Sequence, residues 1–224
     1  MSSWPRSRKI SRLLSIWSTY RSKNLGNRLR LLVRYLMCPF EPLIEAVLKH
    51  GTVMDVGCGD GLFLSLLHEE RGVDERLLIG IDPAENKIAN ARHLDMKAIE
   101  FLCAEIGSMK SESVDCISVV DVLYLLPLDR WNDFLQQCVR CLKPRGRLVI
   151  KEVHDRPKWK RQIAYLQEVF SIYVSRMTKG DHPHFESIET YCRYIETAGA
   201  SVVKVLPVDR GYFHAHVLFV ASKS

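Results

Sequence analysis

Residues 53–61 read Val-Met-Asp-Val-Gly-Cys-Gly-Asp-Gly. An apolar run of strand character meets three glycines at alternate positions, and residues 62–70 follow with helical spacing. Few folds accommodate that succession. Glycine takes positive φ without steric cost and lets the backbone approach a ligand closely. Free N–H groups at the start of the next helix favour a negative group. Such a strand, turn and helix belong at the carboxyl edge of an open α/β sheet, where ligands bind. A plain connecting turn is the duller alternative, but three glycines are entropically costly there.

The surrounding chain has the matching rhythm. Short apolar runs at 52–56, 77–82, 99–103, 116–120 and 147–152 read as strands. Helical stretches lie between them at 62–70, 85–93 and 130–142, while the crossover at 105–114 is only weakly helical. Unalternating apolar strands separated by helices predict a parallel sheet covered on both faces. Beyond 152, a helix is expected from 157 to 177, then the polar loop TKGDHPHFES and a helix at 188–198 stopped by Gly199. Strands at 201–206 and 213–221, joined by the short PVDRG, predict a hairpin with the last strand antiparallel. At 224 residues, 47% hydrophobic and 26% charged, the chain is neither disordered nor a collagen-like repeat nor a multi-span membrane protein.

The dinucleotide-binding turn is the natural rival for this glycine motif. It needs its third glycine five residues after the first. Here Leu62 holds that position and the third glycine comes early, at Gly61. Asp55, two residues before Gly57, suits a ligand carrying an ammonium or sulfonium better than a bare pyrophosphate. Asp82 ends the second strand, 25 residues after Gly57, where an acid grips two ribose hydroxyls; an ordinary helix cap is its plainer role.

Asp55-Val56-Gly57-Cys58-Gly59-Asp60-Gly61, followed by Gly80-Ile81-Asp82-Pro83, resembles the class I S-adenosylmethionine (SAM)-dependent methyltransferases. Cys103-Ala104-Glu105-Ile106, residues 114–121 and the run Leu142-Lys143-Pro144-Arg145-Gly146 resemble that family's later segments. The resemblance covers about residues 50–221. It departs at Arg145, a usual glycine, and at Glu105, where aspartate is commoner. It implies a Rossmann-like sheet of seven strands in the order 3-2-1-4-5-7-6, with the last antiparallel. It also implies SAM as cofactor, with Asp55, Gly57, Cys58, Gly59, Gly61, Asp82, Glu105, Ile106 and Asp121 around it. Cys58 is expected to offer its backbone rather than its thiol.

Methyl transfer needs alignment and water exclusion, and sometimes a base; it does not force one. His154, directly after the fifth strand, is a candidate base, and Tyr124, after the fourth, a candidate wall of the acceptor pocket. Either is equally readable as a loop histidine and a packing tyrosine. The segment Asp121-Val122-Leu123-Tyr124 replaces the Asn/Asp-Pro-Pro-Tyr/Phe run of the adenine- and glutamine-methylating branches. The resemblance therefore points to small-molecule enzymes like those of quinone and lipid biosynthesis, with a lipophilic hydroxylated or phenolic acceptor. RNA or protein methylation, or a non-catalytic membrane- or RNA-docking adaptor, are the alternatives. No metal is expected: the CxxC at Cys138 and Cys141 lies in a helical stretch, and the His182/His184 and His214/His216 pairs lack clustered carboxylates.

The first 40 residues hold nine bases and no acid, leaving 23 bases against 26 acids in the remainder. Residues 1–40 are read as basic amphipathic helices, with Gly26 as the weak point between them, and 41–224 as the methyltransferase domain. A further helix is expected at 43–50. Leucines and aromatics among the bases fit a lid over the cofactor or a peripheral membrane contact, with nucleic acid ranked lower. Seven cysteines, mostly in apolar runs, suit reduced thiols in the cytoplasm. The Arg- and Ser-rich, acid-free start equally matches an organelle transit peptide.

Overall fold

The computed structural model describes residues 6–21, 23–70, 76–94, 96, 98–157, 159, 162 and 184–224. Two helices, α1 (Arg6–Thr19) and α2 (Leu25–Met37), are followed by a short α3 (Phe40–Ala46). Then come β1 (Gly51–Val56), α4 (Leu62–His68), β2 (Arg76–Asp82), α5 (Glu85–Arg92), β3 (Ile99–Cys103) and β4 (Val114–Val120). The chain continues through α6 (Leu128–Cys141), β5 (Leu142–Val153), α7 (Ile188–Thr197), β6 (Ala200–Pro207) and β7 (His216–Lys223).

Seven strands form one sheet in the order β3-β2-β1-β4-β5-β7-β6, as expected. The pairs from β3 across to β5 are parallel, and β7 is antiparallel to both β5 and β6. Both faces are covered, which is why the central strands carry apolar residues without alternation. On one face Ile16, Tyr20, Leu31, Tyr35, Phe40 and Leu43 of the N-terminal helices join Leu64, Ile88, Val149 and Leu218 in a single cluster. On the other, Trp131 and Leu135 of α6 and Tyr191 and Ile195 of α7 pack on Met54, Ile117, Ile150 and Phe219. Trp131 stacks on Tyr191 with ring centroids 4.9 Å apart.

Several local expectations need correction. Gly26 lies inside α2; the break falls at residues 20–24, where the Asn24 side chain caps α2 by accepting from the Asn27 N–H (2.9 Å). The third helix spans Phe40–Ala46 rather than 43–50. Pro42 sits in its first turn, where the missing N–H costs nothing, and the Phe40 ring fixes the start by stacking between Tyr35 and Phe63. The crossover at 105–114 holds one 3₁₀ turn, Ile106–Ser108. The link between β6 and β7 spans residues 208–215, longer than PVDRG, because Tyr212 N–H turns back to Asp209 O (3.0 Å) before His216 opens the strand. The helix expected at 157–177, and His182, lie outside the described residues apart from 157, 159 and 162.

Candidate active site

The glycine turn is fastened to the end of β2. The N–H groups of Gly57 and Cys58 both donate to Ile81 O, at 2.8 and 3.0 Å. All three glycines have positive φ: 76° at Gly57, 56° at Gly59 and 80° at Gly61. They do different work. A Cβ on Gly57 would lie 2.6 Å from Val122 Cγ2, and one on Gly61 would lie 2.7 Å from Phe101 Cζ. Those two glycines are required by the protein's own packing. A Cβ on Gly59 would meet nothing within 4 Å, so its backbone faces open space. Cys58 is buried and burial raises its thiol well above the usual range, which leaves its backbone as the group on offer.

Asp82 holds this turn from the side. Its Oδ2 accepts from Gly59 N–H (3.0 Å) and its Oδ1 from Ala84 N–H (2.9 Å). It does not cap α5, whose N-cap is Ala84. Each oxygen retains acceptor capacity for a ligand hydroxyl. Asp55 is buried and accepts from Ser118 Oγ (2.7 Å); burial, opposed by that hydrogen bond, pushes its carboxyl up to about 7. A crevice of about 380 Å³ opens beside the turn, with Gly57, Ile81, Ala104, Glu105 and Ile106 on one side and Val122 and Phe134 on the other. Its lining is mostly apolar and suits a flat ring, with exposed Glu105 and the polar Arg130, Asp133 and Gln137 also lining it.

The N-terminal helices clasp the same turn. Tyr20 Oη donates to Asp60 O (3.1 Å), and the buried Asp60 carboxylate pairs with Arg30 Nη2 (2.5 Å) and Lys23 Nζ (3.4 Å). Burial would raise Asp60, but the two cations outweigh it and hold the carboxyl below its usual range. Arg8 and Arg12 reach Glu70 just beyond α4, and Ser15 reaches Glu69. Four of the nine bases are therefore engaged by acids of the sheet's own connections, which is the arrangement of a cover. Asp60 gave no signal of this in the sequence, where it is simply the residue between Gly59 and Gly61.

The carboxyl ends of β4 and β5 carry a second polar group that the sequence reading missed apart from Asp121. Asp121 adopts φ of 59°, and its N–H donates to Lys151 O (3.0 Å). Its carboxylate pairs with the fully buried Lys151 Nζ (2.5 Å). Burial opposes both charges, yet the pairing keeps Asp121 below and Lys151 above its usual range. Buried Glu152 accepts from the N–H groups of Val122 (3.0 Å) and Leu123 (2.8 Å) through Oε1. Its Oε2 has no hydrogen-bond partner among the described residues, and burial pushes it up to about 8. His216 donates from Nε2 to Met37 O (2.9 Å); burial, reinforced by Lys151, lowers it to about 2, so the ring is neutral. Lys151 and Glu152 were legible only as consecutive residues of a strand, and nothing in their spacing marked them.

His154 lies at the end of β5, half-buried, with its N–H on Ala215 O (2.9 Å) and its Nδ1 3.4 Å from Arg156 N. Tyr124 is buried and packs on Phe185 with centroids 5.2 Å apart, forming a small cluster with Val153. The turn, Asp55, Asp82, Glu105 and Ile106 thus gather along β1–β3, while Asp121, Tyr124 and His154 gather at β4 and β5. Asp121 is committed to Lys151, and Val122 lines the crevice in its place. His214 and His216 stand with ring centroids 5.5 Å apart, and the described residues hold no cluster of three metal-binding side chains.

Residues 27–205 match the profile of a methyltransferase-domain family. The chain belongs to that family. It carries a methyltransferase domain and shares its fold with SAM-dependent methyltransferases. Over 110 residues it is 30% identical to the tRNA (carboxymethyluridine(34)-5-O)-methyltransferase ALKBH8 of Macaca fascicularis, a segment that is 48% of this chain and 15% of that protein. Its fold resembles a SAM-dependent methyltransferase from Mesorhizobium loti (TM-score 0.63, 15% identity, covering 83% of this chain and 98% of that one). It also resembles geranyl diphosphate C-methyltransferase from Streptomyces coelicolor, solved with S-adenosyl-L-homocysteine (0.65, 14%, 86% and 81%). The residues here fit the cofactor: an open backbone at Gly59, spare acceptor capacity on Asp82, an apolar slot, and a buried acid, Asp55, on the strand that leads into the turn.

Proposed function

We propose that this enzyme methylates a small, lipophilic, hydroxylated or phenolic acceptor. Bound SAM supplies a methyl group on a sulfonium, ready for in-line transfer. In this reading Asp82 receives the ribose hydroxyls, Glu105 and Ile106 flank the adenine, the open Gly59 backbone meets the methionyl part, and Asp55 faces its positive charge. Gly57, Gly61 and Cys58 hold the turn in shape. The observation that carries the acceptor class is the apolar, buried character of the residues beside the ends of β4 and β5. Tyr124, Val153 and Phe185 are buried together, and Cys38 and Phe40 of the N-terminal cover are also buried, with Cys38 Sγ 3.9 Å from Asp121 Oδ2. Such walls favour a small apolar body and exclude water from the transfer. Asp121 and Lys151 fix the floor, and His154 supplies a base if the acceptor hydroxyl needs one.

RNA as acceptor is the second reading, favoured by the match to a tRNA methyltransferase. Against it, Arg8, Arg12, Lys23 and Arg30 of the N-terminal bases are ion-paired within the protein. Incubation with methyl-labelled SAM and fractionated cell extract tests both. Label in the organic-soluble fraction is expected. Label recovered only in RNA overturns the lipophilic acceptor.

A further inference from the structure

We infer that the outer face of α1 and α2 is a docking surface for an anionic lipid bilayer. The inference does not depend on which acceptor the enzyme uses. On α1, Ile10, Leu14 and Trp17 follow at steps of four and three residues; on α2, Leu25, Leu29, Val33 and Leu36 follow at steps of four, four and three. These spacings place each set on one side of its helix. All seven are exposed, Leu14 and Leu25 by about two thirds (65% and 67%). The anchors to the body are Ile16 on α1, Tyr20 just after it, and Leu31 and Tyr35 on α2, each almost fully buried. The two stripes meet where the Arg28 guanidinium lies 3.5 Å over the Trp17 ring and donates to Trp17 O (2.6 Å).

Charge decides among occupants. Residues 6–40 contain no acid, and Lys9, Arg21 and Arg28 lie among the stripe residues in the sequence. Arg8 and Arg12 pair with Glu70, and Lys23 and Arg30 with Asp60. Those pairs offset part of the charge, while Lys9, Arg21 and Arg28 keep the surround of the stripes cationic. Aliphatic and tryptophan side chains framed by Arg and Lys match a helix lying in the plane of an anionic membrane interface. No described helix is long and apolar enough to cross a membrane, so the contact is peripheral. A second copy presenting the same cationic border would repel.

The test is co-sedimentation of the full chain with phosphatidylcholine vesicles, with and without phosphatidylserine, at low and high salt. Binding is expected only to the anionic vesicles and should weaken with salt. The double variant Leu14→Glu, Leu29→Glu should bind about tenfold more weakly or worse, since both side chains would otherwise enter the interface. Its SAM affinity should be unchanged, which separates lost docking from lost folding. Equal binding to both vesicle types, or a double variant that sediments like the wild type, overturns the inference. So does a dimer in sedimentation velocity that the same substitutions abolish, because the face would then belong to a second copy.

Discussion

Titrating SAM into the protein by calorimetry between about pH 5.5 and pH 7 should give an affinity that climbs with pH, through Asp55. Burial lifts this carboxyl from 3.8 to about 7. That gap corresponds to about 4 kcal/mol, at about 1.36 kcal/mol for each tenfold change in proton affinity. The folded chain holds the proton more tightly than the unfolded chain, so stability falls as pH rises from about 4 to about 7, and the penalty is complete above 7. A cationic ligand beside Asp55 favours the ionised form. Binding below pH 7 must therefore release a proton, and affinity should drop about tenfold for each pH unit below 7. Buffers of different ionisation enthalpy read the released proton directly. Asp55→Asn should flatten the profile, weaken binding above pH 7, and raise the melting temperature of the ligand-free protein there. An affinity independent of pH across this window, or proton uptake on binding, would refute the reasoning.

The glycines make a paired prediction. Gly59→Ala should weaken SAM binding about tenfold or more while shifting stability little beyond the roughly 1–2 kcal/mol of a left-handed alanine, read by calorimetry and thermal melting. Gly57→Ala should cost several kcal/mol more in stability, because its Cβ would collide with Val122, which denaturant unfolding will report. Arg145→Gly should stabilise the protein by about 1 kcal/mol, since Arg145 sits at φ of 62°; an unchanged melting temperature would argue against that strain. Lys151→Met should cost about 3–5 kcal/mol by leaving Asp121 buried without its cation, and adding Asp121→Asn should recover most of the loss.

The sheet was legible because its signal is local. Buried parallel strands are apolar along most of their length, as at 116–120, and the glycine turn punctuates the first of them. The reversed β7 followed from two strands with a short link, although the length of that link did not: the turn at Asp209–Tyr212 depends on contacts that spacing does not record. The cofactor side of the site was legible for the same local reason, since Asp55, Gly57 and Gly59 stand within five residues and Asp82 ends the next strand. The acceptor side was not. Lys151 and Glu152 are consecutive strand residues whose partners, Asp121 and the N–H groups of Val122 and Leu123, arrive by strand pairing some 30 residues away. A lid was among the roles expected of the basic head, but its anchors were hidden, because the ion pairs from Lys23 and Arg30 to Asp60 exist only once α1 and α2 fold over the turn.

Calorimetry of SAM binding to the wild type and to Asp82→Ala tests the central claim most directly. The wild type should bind and the variant should lose about 10- to 100-fold, the worth of charge-assisted hydrogen bonds to a ligand from a carboxylate that also braces Gly59. Equal affinities, or binding by neither protein, would contradict the account.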